Sequence, residues 1–432
     1  MKRFYSLLVF ALFLHSTVAC SQKVTEPKRA QLAPGKVQRA LPVPEEEAPP
    51  RPEEVPEEET VLRALPVDEK NYQAVAEAMV GKPAGQVRAG GVYAEWISGG
   101  RGFYSPNNRR LYDRFAEASL PKGKSETKSL YYPFGGPDVI YPLAFFPRVT
   151  TLVLVGIEPI GTLPSLEVAR SPGYQASIKS MMDIYLGSTF YRTQDMREEA
   201  KEDPERATWA KMMAAIALLD LKITATSTGT LDELGLWKDD ATTPAAKRNP
   251  LSPRGVVFYC ERGFGKSTEQ VSIYYFQQNL GEYDRGALTS LVKATPFRNF
   301  MARFRGNYTS FLKAASYLSH DTQTFKTSNE LVFGANRILQ SPSGVPFSEF
   351  VARREAWHLT LFGEYQVPSD TFSEHPQVDL KEAYRGAIRE DARAEYADFV
   401  SYGGALPFHY DYGTGPGGRD KGAMLFYATR RR

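Results

Sequence analysis

Cysteine is almost absent from this chain: 432 residues contain only Cys20 and Cys260. If Cys20 is committed elsewhere, no intramolecular disulfide can form. A chain of this length can bury enough surface to fold without such staples. Histidine is nearly as scarce, with five residues. His320, His358, His375 and His409 show no metal-ligand spacing, so neither a metal site nor a cofactor is expected. HExxH, CxxC, GxSxG and calcium-loop patterns are all missing. Beyond the N-terminus no run of 18 apolar residues occurs, so no membrane-spanning helix is expected. Charge of one sign is lacking too. The net charge is +3, and Lys and Arg are scattered rather than gathered into a stripe, which argues against nucleic acid as a partner.

What is present begins with an export signal. Lys2 and Arg3 precede an apolar segment, Leu7 to Leu14, which is signal-peptide length and too short to span a bilayer. Ser16-Thr17-Val18-Ala19-Cys20 follows. This segment resembles the lipobox of bacterial lipoproteins, in which small residues precede an invariant cysteine. The resemblance implies cleavage after residue 19, a thioether lipid on Cys20 and acylation of the new amine, with palmitate among the expected chains. Each buried methylene contributes roughly 0.8 kcal/mol, so several chains together anchor firmly. Ser21 stands where an Asp would resemble an inner-membrane retention signal. The expected location is therefore the cell envelope, on the outer membrane, with the lipid as the membrane contact.

Residues 20–70 carry no material for a core. They contain Pro34, Pro42, Pro44, Pro49, Pro50, Pro52, Pro56 and Pro66, and acidic blocks at Glu45 to Glu47 and Glu57 to Glu59. Such a segment is expected to stay disordered or extended, as a tether. Arg39-Ala40-Leu41-Pro42-Val43 recurs as Arg63-Ala64-Leu65-Pro66-Val67. This reads as chance duplication within a low-complexity stretch, as a second copy packing on the domain edge, or as a paired docking motif.

From residue 71 to 432 the pattern is globular, in one or two lobes. Helices are expected over 71–80, 109–119, 173–220, 287–320 and 380–399. In the third of these Met181, Met182, Met212, Met213 and Ile216 are the packing positions. Strands are expected from Val149 to Ile157, Lys222 to Ser227, Trp357 to Glu364 and Met424 to Thr429. The β-rich stretches 255–260 and 270–276 flank a Gly/Lys-rich segment and predict a hairpin. Strands and helices do not alternate regularly. The expected fold is α+β, a mainly antiparallel sheet with packed helices after the tether.

Several segments carry a second resemblance: Tyr132-Pro133-Phe134-Gly135-Gly136-Pro137-Asp138, Phe145-Phe146-Pro147, Gly156-Ile157-Glu158-Pro159, Leu312 to Leu318 and Ile338 to Pro346. These are similar to an uncharacterised family of bacterial secreted proteins, over roughly 130–430. That family has a more acidic pair where Ser341 and Pro342 stand here. The resemblance implies a domain boundary and brings no activity with it.

Two glycine motifs invite nucleotide readings. Gly413-Thr414-Gly415-Pro416-Gly417-Gly418 matches GxGxxG, but only 14 residues follow and they read as a strand. A dinucleotide site needs a helix there. Gly263-Phe264-Gly265-Lys266-Ser267-Thr268 has Cys260 where a phosphate loop needs its first glycine, and a strand follows it. It reads as a hairpin turn, and Cys260 as a buried strand thiol.

The remaining candidates are carboxylates at turns: Asp138 after Gly-Gly-Pro, Glu158 before Pro159, Glu364 after Gly363, and His409 with Asp411 beside the glycine loop. Loops on a rigid scaffold carry function, and two carboxylates can cleave a glycosidic bond. The plainer expectation is that Asp138, Glu158 and Asp411 bond to turn amides. The anchor, the tether and the missing catalytic signatures favour a non-catalytic envelope lipoprotein that binds a cell-wall or protein partner. The alternative is an extracytoplasmic glycan hydrolase using a carboxylate pair.

Overall fold

The computed structural model describes residues 72–82, 127–188, 191–264, 267–286, 288–313, 315, 317–363, 365, 375, 377–386, 399–402 and 424–431. Cys20, the tether, the helix expected at 109–119, Glu364, His409, Asp411 and the 413–418 loop lie outside the described residues. No described helix is long and apolar enough to cross a membrane.

The strands are β1 (Ser129–Pro133), β2 (Thr151–Gly156), β3 (Lys222–Leu231), β4 (Trp237–Asp239), β5 (Arg254–Phe264), β6 (Ser267–Gln277), β7 (Thr309–Leu312), β8 (Arg337–Gln340), β9 (Trp357–Phe362), β10 (Phe399–Tyr402) and β11 (Leu425–Arg430). They form one sheet in the order β10-β9-β11-β8-β7-β1-β2-β6-β5-β3-β4. The helices are α1 (Tyr72–Met79), α2 (Ile140–Phe145), α3 (Leu166–Arg170), α4 (Pro172–Ser188), α5 (Thr193–Glu202), α6 (Thr208–Leu218), α7 (Thr295–Ala302), α8 (Lys326–Phe333), α9 (Phe347–Val351) and α10 (Val378–Gly386).

The class is α+β, as the sequence predicts, but the sheet is mixed rather than mainly antiparallel. Its centre, β8-β7-β1-β2-β6, is parallel throughout. The antiparallel pairs, such as β5 with β6 and β11 with β8 and β9, lie on the flanks. The reason is burial on both faces. Leu152 and Leu154 of β2 point into one core and Val153 and Val155 into the other. Tyr275 and Tyr274 of β6 divide in the same way. Doubly buried strands read as continuous apolar runs and are what a parallel sheet requires.

The first core holds residues of α1, α2, α4 and α6, and the second those of α7, α8, α9 and α10. The second is rich in edge-to-face aromatic pairs, among them Phe276 with Phe297 and with Phe300, each at 5.3 Å. Such pairs contribute about 0.5–1.5 kcal/mol beyond their area.

Winding reverses at the middle of the sheet. From β1 the chain passes through α2, in the first core, to its neighbour β2. From β7 it passes through α8, in the second core, to β8 on the other side. Crossovers of one hand that step in opposite directions must use opposite faces. The boundary between β1 and β7 is therefore a topological switch point, and the loops leaving the carboxyl ends of those strands diverge there.

The expected 173–220 helix is three helices. The last of these, α6, ends one residue before Leu219, and Pro204 sits in a short 3-10 turn between α5 and α6. Met181, Met182, Met212, Met213 and Ile216 are all buried. The 255–276 hairpin is present as β5 and β6. Among the described residues of the expected 287–320 helix, α7 and a short 3-10 turn at Leu318–His320 form, with β7 between them.

Candidate functional site: a cleft at the switch point

A cleft of about 310 Å³ opens where the parallel strands end. Its walls come from Phe134, Gly135 and Gly136 after β1; Gly156, Ile157 and Glu158 at and after β2; Asn279 and Leu280 after β6; and Ala315 and Leu318 after β7. Residues 191–194, Met196, Arg285 and Phe325 close the sides. Ligand sites in open α/β sheets favour this position. A volume near the low end of the usual range, about 300–1,000 Å³, suits a small ligand or one residue-sized part of a larger one.

The backbone around the cleft is specialised. Phe134 has φ 61°, which is strained for a bulky side chain. Tyr317, on the loop after β7, has φ 60°. Two of the four non-glycine residues with positive φ among the described residues thus stand on the two loops that diverge at the switch point. Such strain concentrates at functional sites. Phe134 is held by an edge-to-face contact with Phe325 at 5.3 Å.

Glycine at 156 leaves room for the Glu158 carboxylate and for the close approach of the loop after β1. A Cβ there would lie 2.1 Å from Glu158 Oε2 and 3.1 Å from the Gly136 Cα. Gly156→Ala is expected to lower stability by about 1–3 kcal/mol, as overpacking does. Thermal or urea unfolding checks this. Gly173→Ala, where a Cβ would meet nothing within 4 Å, is the control and should leave stability equal or higher.

Glu158 is 4% exposed and lines the cleft. Its Oε1 accepts from the Thr193 hydroxyl at 2.6 Å. The Tyr275 hydroxyl lies 2.8 Å from the Glu158 carbonyl and 3.2 Å from Oε2. Burial, and then the Glu158 charge, raise the Tyr275 phenol well above its ordinary range, so it stays a donor. No backbone amide binds the Glu158 carboxylate among the described residues. The turn-amide expectation therefore does not describe it.

Asp138 is 2% exposed and is not part of the cleft wall. The turn-amide expectation holds for one of its bonds, from the Tyr141 amide at 3.2 Å. The rest come from across the fold: the Tyr132 hydroxyl at 3.1 Å, the Tyr185 hydroxyl, and Lys313 Nζ at 3.5 Å. Lys313 follows β7 and is fully buried, with Nζ 4.0 Å from the Tyr141 ring centroid. Burial, then the Asp138 charge, hold the Tyr141 and Tyr185 phenols well above their usual range. An ion pair thus ties the carboxyl ends of β1 and β7 together behind the cleft.

The two candidate acids that lie among the described residues have different settings: Glu158 in the cleft wall, Asp138 in a buried ion pair. Lys313, Thr193, Tyr185 and Tyr275 carry no local sequence signal. The pairing of β1, β2, β6 and β7 brings Lys313 and Tyr275 to these acids, and α4 and α5 bring Tyr185 and Thr193. Cys260 is the expected buried strand thiol, and burial pushes its ionisation far up. Among the described residues no group of three or more His, Cys, Asp or Glu side chains is placed to hold a metal. No family model matches the chain. No curated protein and no solved structure matches it either.

Proposed function

We propose that this chain is a lipid-anchored envelope lipoprotein whose domain binds a component of the cell wall in the switch-point cleft without cleaving it. The observation that carries this reading is the cleft with one carboxylate, Glu158, in its described wall. Hydrolysis of a glycosidic bond by the usual route needs two carboxyl groups flanking that bond. Asp138 is held instead by Lys313, two phenols and an amide. The lipobox-like segment ending at Cys20 supports the anchor, and Ser21 supports the outer membrane. The Pro/Glu-rich stretch supports a spacer. Its fully extended limit is about 150 Å at roughly 3.1 Å per residue.

The test mixes the full chain, in detergent, with purified sacculi and follows sedimentation and soluble sugar fragments in one tube. Sedimentation without fragments is the expected result. Fragment release would replace this reading with the hydrolase, and no sedimentation would remove the cell wall as partner. Separately, Cys20→Ser is expected to move the protein from the membrane to the soluble fraction. A variant that stays with the membrane would refute lipid anchoring as the main attachment.

A further inference from the structure

Glu158 is a buried carboxylate that touches no cation among the described residues. Among the described residues no Lys, Arg or His nitrogen lies within 4.0 Å of it. Lys211, close enough to feel its charge, is committed elsewhere: its ammonium binds Glu199 at 2.7 Å and the Arg206 carbonyl at 2.6 Å. A carboxylate offers about four acceptor directions, and two neighbouring hydroxyls, of Thr193 and Tyr275, serve this one. Taking a carboxylate out of water without a cation is unfavourable. A ligand cation in the cleft would supply the charge that the described neighbours of Glu158 do not.

The surroundings define that charge. Phe134, Tyr191 and Phe325 line the same cleft, and aromatic faces attract organic cations. A metal ion would want further carboxylate or imidazole ligands, and the described residues offer no such group. At the side of the cleft stand Arg192 and Arg285, both exposed; Arg192 also meets Asp195 at 3.4 Å in an exposed pair, which leaves its guanidinium donors to share with a ligand carboxylate.

We propose that the cleft recognises a primary ammonium group, seated on Glu158, on a ligand whose carboxylate faces Arg192 and Arg285. Resting on the wall-binding reading above, the ligand is a short stem peptide of the cell wall bearing a free side-chain amine. Glu158 accepts from the ammonium, Thr193 and Tyr275 hold the carboxylate in place, and the aromatic rings shield the pair from water.

The experiment titrates the full chain in detergent, by calorimetry, with a synthetic stem tetrapeptide and with its side-chain N-acetyl form. The free amine should bind about 10- to 100-fold more tightly, the value of one charge-assisted hydrogen bond. Glu158→Gln should reduce that preference to about twofold or less while the protein still unfolds cooperatively. Equal affinity for the two peptides, or binding of neither, overturns the proposal. This comparison uses the wild-type protein and needs no variant to fold. If sacculi still sediment the chain while the peptides show no preference, wall binding stands and the ammonium site falls.

Discussion

Lys313→Met is expected to destabilise the protein by about 3–5 kcal/mol, the cost of leaving one member of a buried ion pair alone. The Lys313 side chain is 0% exposed and that of Asp138 3%, and they meet at 3.5 Å. With the ammonium gone, Asp138 keeps the Tyr141 amide and the Tyr132 and Tyr185 hydroxyls but loses its positive charge. Asp138→Asn removes the other charge of this pair and should also destabilise the protein. The double variant should be less damaged than the sum of the two, because a neutral pair has no charge to desolvate. Urea unfolding of the four proteins gives the coupling directly. Additivity would mean that the pair does not hold the ends of β1 and β7 together.

Acidification is expected to weaken the fold through His320. Its Nε2 lies 3.2 Å from the Pro342 carbonyl oxygen, so that nitrogen must carry the proton and donate. Burial, more than the nearby His375, pushes its pKa down to about 4 despite the Pro342 bond. Unfolded, the ring takes its proton near pH 6.5. Between those values the unfolded state binds a proton that the folded state refuses, so stability rises with pH across the interval. The contribution is complete above about pH 6.5 and is lost progressively as the pH falls to about 4, to a total of about 3 kcal/mol. His320→Gln removes this titration. Its stability should therefore fall less than that of the wild type between pH 7 and pH 4, by about that amount. Parallel pH dependences would contradict the assignment.

The sequence reveals the elements with strong local signals. The 255–276 hairpin, the strand at Trp357, and the buried methionines of α4 and α6 follow from β-branched runs, turn residues and helical spacing. The parallel centre is hidden. β7 and β8 are four residues long, and all of β7 and most of β8 is buried. Strands of that kind have no alternation to read, and the helical spacing over 287–320 runs straight through β7. β1 is five residues long and ends on Pro133, which argues against a central strand.

The site shows the same division. Asp138 and Glu158 stand out because glycine and proline surround them, so turn chemistry finds them. Lys313 is 175 residues from Asp138 and is one lysine among many, and only strand order brings the two together. Their opposite settings were equally hidden. Nothing near Glu158 in sequence tells of Thr193 or Tyr275, and nothing near Asp138 tells of Tyr185.

The most direct measurement compares sedimentation on sacculi of the full chain with that of Leu318→Trp. Leu318 lines the cleft and is 44% exposed, so a larger ring there obstructs the opening with little effect on the fold. The account predicts that the wild type sediments without releasing sugar fragments and that the equally stable Leu318→Trp stays in the supernatant. Equal sedimentation of the two would place wall binding elsewhere on the molecule and contradict the role given to the cleft.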